Sequence, residues 1–348
     1  MDTFFIESRD PLFGIIVFFV LVFVITFASY WWGRYKHKGD SRDLDKFLKS
    51  FRSLPSKDEL SILISSNELS EKSWLLLASS YNKNGDYEKS IEIYHELLKN
   101  VKSENAKETM FLLGKTYFKA GFLERSKQIF LEILKKNPRT PQALQYLLLV
   151  YEYLRDYESA MDVLEPLEEL NKEIACDSVY LKSLALLNDV KISSDEKNTE
   201  LLKIYKESHF LFYMVFEYIF RTNPKLAWEN FDASKSELLV EVLWGLNHKE
   251  LDFDIISKNA YLRDLYSARG DISLSKSSTV FEFDTLIKLS DNSGATLSFE
   301  YICDNCKQVF PFVFNRCTNC QTIDTARVEF SLVKDYHRNF SEENNSFQ

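Results

Sequence analysis

The chain has 348 residues, ordinary apolar and charged fractions, and a formal net charge of -9. A chain of this length folds into two or three packed units. Its acidic balance, without a stripe of Lys and Arg, argues against a nucleic-acid-binding protein, because such proteins present clustered positive charge to phosphates.

An apolar segment lies close to the N-terminus. Leu12–Trp32 contains no charged residue and matches the ~20 residues needed to cross a bilayer. The leader before it is acidic on balance and no small-x-small motif follows it, so a membrane anchor is favoured over a cleaved signal peptide. Arg34, Lys36, Lys38 and Arg42 follow the segment. Basic flanks stay on the cytoplasmic side, so we expect one transmembrane helix with the rest of the chain in the cytoplasm.

Three stretches in the middle of the chain resemble one another. They start near Trp74, Met110 and Leu144, close to the ~34-residue spacing of tetratricopeptide repeats. Small residues such as Ala78 and Gly114 recur where the paired helices of that repeat approach each other closely. The pattern predicts three helical hairpins that stack into a solenoid. Beyond them it predicts less regular helices at 178–188, 200–221, 225–246 and 252–269, with a polar loop at 188–199.

The first helices of such hairpins line a binding groove. Aromatic residues beside lysines there favour an extended or helical acidic peptide, although a solvated face without a partner is the alternative. The predicted groove residues are Leu75, Asn82, Lys83, Phe111, Lys115, Phe118, Lys119, Gln145, Leu149 and Tyr153.

Four of the five cysteines form two C-x2-C pairs, Cys303 with Cys306 and Cys317 with Cys320. Two such knuckles can close a tetrahedral thiolate site, which suits structural zinc or a single rubredoxin-type iron, and we expect zinc. Alternating apolar residues at 296–302 and 325–333 predict short strands beside the knuckles. Redox-active cysteine pairs and electron transfer are the alternatives. The fifth cysteine, Cys176, is expected to be a buried small hydrophobe.

No catalytic constellation emerges from the sequence. The five histidines are scattered, and neither H-E-x-x-H nor G-x-S-x-G occurs. Gly114-Lys115-Thr116 lacks the preceding glycine of a phosphate loop, so nucleotide binding is not expected. The sequence therefore predicts a protein that is not an enzyme.

An N-terminal anchor, tetratricopeptide repeats and a terminal four-cysteine knuckle together resemble the lipopolysaccharide assembly protein B family of Gram-negative bacteria. The stretches LLGKTYFKAGFLERSKQIFLEIL and YICDNCKQVFPFVFNRCTNC are similar to the family's repeats and metal module. The resemblance implies an inner-membrane adaptor with a periplasmic N-terminus and cytoplasmic domains. Such an adaptor presents the deacetylase of lipid A synthesis to the membrane AAA protease. The resemblance also implies that Cys303, Cys306, Cys317 and Cys320 bind the metal. A generic scaffold for another inner-membrane assembly is the alternative.

The expected fold is mainly α, with a transmembrane helix, a tetratricopeptide-type α-solenoid and a small β-rich rubredoxin-like zinc-ribbon module. The expected segments are a leader and anchor (1–36), a linker with a degenerate first hairpin (37–70), three repeats (71–174), divergent helical repeats (175–292), the metal module (293–334) and a tail (335–348).

Overall fold

A computed structural model of the protein describes residues 20–24, 27, 57–66, 69–100, 106–170, 172–289 and 294–334. The chain divides into two compact units, Met1–Leu170 and Asn171–Gln348. The predicted tail at 335–348 lies outside the described residues.

The predicted membrane anchor lies mostly outside the described part of the chain. Of Leu12–Trp32, only residues 20–24 and 27 are described, and they are helical and exposed. Within the described ranges, no helix combines the length and the apolar character needed to cross a bilayer. Membrane anchoring stays a prediction.

The described residues of the N-terminal unit from 57 onward form helical hairpins, which confirms the solenoid predicted from the repeat pattern. A glycine in the left-handed region turns the chain within the first two hairpins, at Gly85 (φ 84°) and Gly121 (φ 80°). Arg155 (φ 60°) takes that place in the third hairpin. The helices are α1 (Lys57–Ser65), α2 (Glu71–Lys83), α3 (Tyr87–Asn100), α4 (Ala106–Lys119), α5 (Leu123–Lys136), α6 (Pro141–Leu154), α7 (Tyr157–Asp162) and α8 (Leu164–Glu169).

Small residues set the spacing of the paired helices. A Cβ atom on Gly114 of α4 would lie 3.0 Å from the ring of Phe130 on α5, so the two helices touch at this position. The hydroxyl of buried Ser126 donates a 2.9 Å hydrogen bond to the Gly114 carbonyl. Trp74 and Leu113 are almost completely buried in one hydrophobic cluster of this unit. Bulky and small consensus residues thus have the structural roles that the repeat pattern predicts.

The C-terminal unit begins with a less regular helical array. A capping box between Ser193 and Glu196 starts a helix inside the predicted polar loop. The single helix predicted at 200–221 is wrong, because His209 and Leu211 adopt left-handed conformations and break it. The helices are α9 (Ala175–Asn188), α10 (Ser194–Ser208), α11 (Phe212–Thr222), α12 (Pro224–Asn230), α13 (Val240–Gly245), α14 (Phe253–Lys258), α15 (Ala260–Arg269) and α16 (Phe281–Lys288), with short 3-10 turns at Ala233–Leu239 and His248–Glu250.

A three-stranded antiparallel sheet completes the C-terminal unit. It comprises β1 (Ala295–Cys303), β2 (Val309–Phe310) and β3 (Ala326–Lys334), in the order β2-β1-β3. The two predicted strands are confirmed to within one or two residues at their ends. Tyr301 of β1 pairs with Phe310 on one side and with Val328 on the other.

The sheet and the helices of this unit share one hydrophobic core. Leu297, Tyr301 and Val328 are buried in the same cluster as the apolar side chains of α11 to α16. The ring of Phe330 on β3 stacks on Phe283 of α16 with centroids 5.3 Å apart. The sheet beside the cysteine knuckles is therefore fixed to the helical array by apolar packing.

Candidate metal centre and lysine–aromatic surface

The four predicted metal ligands come together at one end of the sheet. Cys303 ends β1, and the backbone N–H of Lys307 donates to its carbonyl in a tight turn, with Lys307 at φ 59°. In the second knuckle the N–H of Gln321 (φ 64°) donates to the Cys317 carbonyl in the same way. The two knuckles thus share one backbone geometry, in which the side chains of both cysteine pairs converge.

The sulfur atoms have the separations of a metal site. All four Sγ atoms lie within 4.8 Å of one another, and Cys303–Cys320 and Cys306–Cys317 are each 3.6 Å apart. A tetrahedral ion with Zn–S bonds of ~2.3 Å requires sulfurs about 3.8 Å apart, whereas a disulfide requires ~2.05 Å. The four cysteines can therefore bind one metal ion, and the geometry does not distinguish zinc from iron.

The thiols differ in their affinity for protons. Burial raises the pKa of Cys317 to about 12. Burial acts in the same direction on Cys303, but the backbone amides of Cys306 and Asn305 and the hydroxyl of Thr325 outweigh it and lower the pKa of Cys303 to about 5. A metal ion binds these cysteines as thiolates, so its binding would release the protons that the thiols still hold.

Two threonine hydroxyls lie against the sulfur atoms. Thr325 Oγ1 is 3.3 Å from Cys303 Sγ, and Thr322 Oγ1 is 2.9 Å from Cys320 Sγ. A metal-bound thiolate can only accept a hydrogen bond, so both hydroxyls donate to sulfur when the site is filled. The sequence analysis did not identify these two donors, whose only sequence signal is that Thr322 and Thr325 follow the last cysteine.

Arg316 connects the second knuckle to the helices. It directly precedes Cys317 and is buried, with its Nη2 donating to Asp177 Oδ1 of α9 at 2.8 Å. Its Nη1 donates to the carbonyl of Gln321 at 3.0 Å, and its guanidinium lies 5.1 Å from the ring centroid of Tyr180. One side chain therefore contacts both the cysteine loop and α9.

Asp324 makes a second connection of this kind. Its Oδ2 accepts a 2.9 Å hydrogen bond from the backbone N–H of Leu211, the residue that precedes α11. Burial raises the pKa of the Asp324 carboxyl, and the Leu211 N–H partly reverses this shift. The metal loop and the start of α11 are thereby held together.

The fifth cysteine differs from its prediction. Cys176 is exposed in the first turn of α9, not buried in a core. Partial desolvation of its thiol raises its pKa above the ordinary value, and the charges of Glu173 and Asp177 act in the same direction. Apolar character alone placed it in a core, but it lies at the start of a helix, where few side chains cover it.

The predicted groove residues lie on the first helices of the three hairpins, α2, α4 and α6. Asn82 of α2 donates a 2.8 Å hydrogen bond to Thr116 of α4, which connects consecutive first helices. Gln145 is exposed and Leu75 is half-buried. Leu149 is buried, with only 5% of its surface exposed, so its predicted role at the groove surface is wrong. The apolar run 147–150 is buried around most of α6, and no exposed face remains at this position.

The aromatic residues of this surface form a continuous row. The ring centroid of Tyr146 is 5.5 Å from that of Phe111 and 5.8 Å from that of Phe118. Phe118 in turn lies 5.3 Å from Tyr153, and Lys115 Nζ lies 5.7 Å from the centroid of the Tyr146 ring. The sequence analysis missed Tyr146. A signal existed, because Tyr146 and Tyr153 are seven residues apart and so share one helix face.

Three lysines lie beside the aromatic row. Burial lowers the pKa of Lys119, and the positive charges of Lys115 and Lys83 lower it further. Within the described ranges, none of the three forms an ion pair with a carboxylate. We call Lys83, Lys115, Lys119, Phe111, Phe118, Tyr146 and Tyr153 the lysine–aromatic surface.

Comparison with known proteins finds one repeat family and several solved structures that are similar to this chain. A tetratricopeptide repeat model matches residues 72–102, which span nearly all of α2 and all of α3. Residues 72–102 are thus similar to a tetratricopeptide repeat. Similar solved structures include MamA from Desulfovibrio magneticus, which is 19% identical and covers 49% of this chain and 94% of its own, with a TM-score of 0.37. A tetratricopeptide repeat protein from Parabacteroides merdae is 13% identical and covers 72% of this chain and 97% of its own, with a TM-score of 0.40. No curated protein matches the sequence significantly.

Proposed function

We propose that this chain is a scaffold without catalytic activity that binds an acidic segment of a partner protein on the lysine–aromatic surface. The repeat match supports a role in protein–protein interaction. We choose an acidic segment because the three lysines repel one another and have no carboxylate partner within the described chain. A carboxylate placed among them would relieve that repulsion.

The aromatic row would supply the apolar part of the contact. Phe118 and Tyr153 form an edge-to-face pair beside the lysines, and Tyr153 is 46% exposed. Aromatic side chains contribute large contact area with little loss of conformational freedom, and they dominate the energetics of many interfaces. A segment with acidic residues spaced around an apolar one would therefore fit.

Binding of peptides to the full chain tests this proposal. The probe is a fluorescently labelled peptide with glutamates flanking a leucine, compared with a glutamine-substituted version. We expect saturable binding of the acidic peptide and a weakening of about tenfold in a Lys115→Gln, Lys119→Gln double variant, because two charge pairs are lost. Lys127→Gln is the control, since Lys127 lies on α5 and already pairs with Glu124 at 2.7 Å. Equal binding of both peptides would refute the proposal.

The resemblance to the lipopolysaccharide assembly protein B family supports a more specific role. We propose that the chain is anchored in a bacterial inner membrane with the repeats and metal module in the cytoplasm. There it would present the deacetylase of lipid A synthesis to the membrane AAA protease. Depletion of the chain should then raise the abundance of that deacetylase. Unchanged abundance, with a different complex recovered by crosslinking, would favour a scaffold for another inner-membrane assembly.

We propose that the metal is structural zinc held by Cys303, Cys306, Cys317 and Cys320. Four thiolates fill a tetrahedral ion and leave no position for substrate, so the ion would supply folding free energy and no chemistry. Native mass spectrometry of the full chain should show one zinc ion. Stoichiometric iron with reversible colour would favour electron transfer instead.

A further inference from the structure

The loop between the two cysteine pairs carries an exposed apolar tip. Val309, Phe312 and Val313 are 46%, 79% and 42% exposed. The loop is held in place because Phe310 and Phe314, which flank Phe312 and Val313 in the sequence, pack on each other with ring centroids 4.7 Å apart. A large aromatic side chain held in water on a braced loop is typical of an interaction site.

Carboxylates lie next to this tip. Val313 lines a cleft of about 430 Å³ together with Glu217 of α11, Glu241 of α13 and Glu250. Arg221 is the only basic residue among the cleft's lining residues, and its Nη1 lies 3.3 Å from Glu217 Oε1. The cleft therefore has an excess of negative charge.

The inner end of the cleft is fixed by hydrogen bonds. Glu241 accepts one from the Tyr213 hydroxyl at 2.8 Å and another from the Tyr301 hydroxyl of β1. Burial raises the pKa of Glu217, the charge of Arg221 opposes this shift, and the charge of Glu241 adds to it. A cation entering the cleft would relieve the repulsion between these two carboxylates.

We propose that the tip Val309, Phe312 and Val313 and the acidic cleft beside it form a docking surface for a basic, apolar segment of a partner protein. The apolar residues of that segment would cover Phe312, and a Lys or Arg side chain would enter the cleft toward Glu217 and Glu241. Charge complementarity decides against a membrane surface, because anionic headgroups would be repelled by these carboxylates. This surface lies in the C-terminal unit and prefers the opposite charge to the lysine–aromatic surface.

The experiment uses the full chain in nanodiscs of zwitterionic phosphatidylcholine. The probe is a labelled amphipathic helical peptide of lysine and leucine with one tryptophan, and its counterpart has glutamate in place of lysine. Any binding of the glutamate peptide should occur on the lysine–aromatic surface and be weakened by the Lys115→Gln, Lys119→Gln variant, whereas we expect saturable binding of the lysine peptide at the tip and cleft. Phe312→Ser and Glu217→Gln should each weaken it by about tenfold, because they remove the apolar anchor and one charge partner.

Matched controls separate this surface from general charge effects. Phe281→Ser removes an aromatic side chain that is 73% exposed elsewhere in the same unit, and Glu200→Gln removes an exposed carboxylate of α10. Both should change the affinity less than twofold, as should the Lys115→Gln, Lys119→Gln variant of the other surface. Thermal unfolding of each variant verifies that the unit stays folded.

Equal losses of affinity in the test and control variants, or absence of saturable binding, would overturn the proposal. Preference for anionic vesicles over the peptide would overturn it in favour of a membrane surface.

Discussion

At the residue scale, the metal site depends on more than its four cysteines. The hydroxyls of Thr322 and Thr325 lie 2.9 and 3.3 Å from the sulfurs of Cys320 and Cys303, and they lie 3.2 Å from each other. Hydrogen bonds to thiolates spread their negative charge and reduce their reactivity. The two threonines should therefore slow attack on the site by chelators and oxidants.

Replacement of both threonines by valine should speed zinc release to a competing chelator by about tenfold, within the 10–100-fold range found when partners of metal ligands are removed. The cobalt-substituted protein should also show a shifted sulfur-to-metal charge-transfer band. Thr318→Val is the control, because only the backbone carbonyl of Thr318 takes part in a described hydrogen bond. Equal release rates in the two variants would show that the hydroxyls do not act on the sulfurs.

At the scale of single elements, the repeat pattern predicted the helical hairpins correctly, whereas the bounds of the later helices could not be predicted. The close helix contact at Gly114 allows only a small residue, so small residues recur at the repeat spacing and can be seen in the sequence. No recurring residue pattern indicates the break in the helix that was predicted at 200–221. It depends on Leu211 in a left-handed conformation whose N–H is bound by Asp324, more than a hundred positions along the chain. A local pattern cannot report a contact of that range.

The contact between Arg316 and Asp177 is expected to stabilise the C-terminal unit. The two side chains are 7% and 28% exposed, and removal of one partner leaves the other charge poorly solvated. Arg316→Ala should therefore lower the free energy of unfolding of this unit by roughly 2–3 kcal/mol. Arg327→Ala, which breaks the exposed 2.8 Å pair with Glu329, should cost less than ~1 kcal/mol. Hydrogen exchange of α9 in the folded protein measures the loss of stability in both variants. Similar losses in the two variants would show that the Arg316–Asp177 contact stabilises the unit no more than the exposed Arg327–Glu329 pair does.

At the scale of the whole molecule, the sequence predicted a metal module separate from the helical repeats. The structure describes a C-terminal unit in which the sheet and helices α11 to α16 share one core, with Tyr301 and Phe330 packed against them. The cysteine spacing identified the site because metal ligands must be close in sequence to form a knuckle. Apolar packing between distant segments leaves no comparable spacing, so the shared core could not be predicted.

Removal of the metal should consequently affect helices as well as strands. A thiol-targeted chelator should increase hydrogen exchange in β1, β3 and the start of α11. Helices α2 to α5 should keep their protection, since they belong to the other compact unit. Loss of protection restricted to residues 294–334 would show that the sheet unfolds alone.

The scaffold proposal depends on partners reaching the first helices of the hairpins. A photoreactive amino acid at Phe118, in the middle of the aromatic row, can be compared in living cells with one at Leu131, which is 43% exposed on the second helix α5. We predict that Phe118 yields crosslinks to acidic segments of a defined protein and that Leu131 does not. Equal yields at the two positions, or crosslinks from Phe118 to basic segments, would contradict binding through the lysine–aromatic surface.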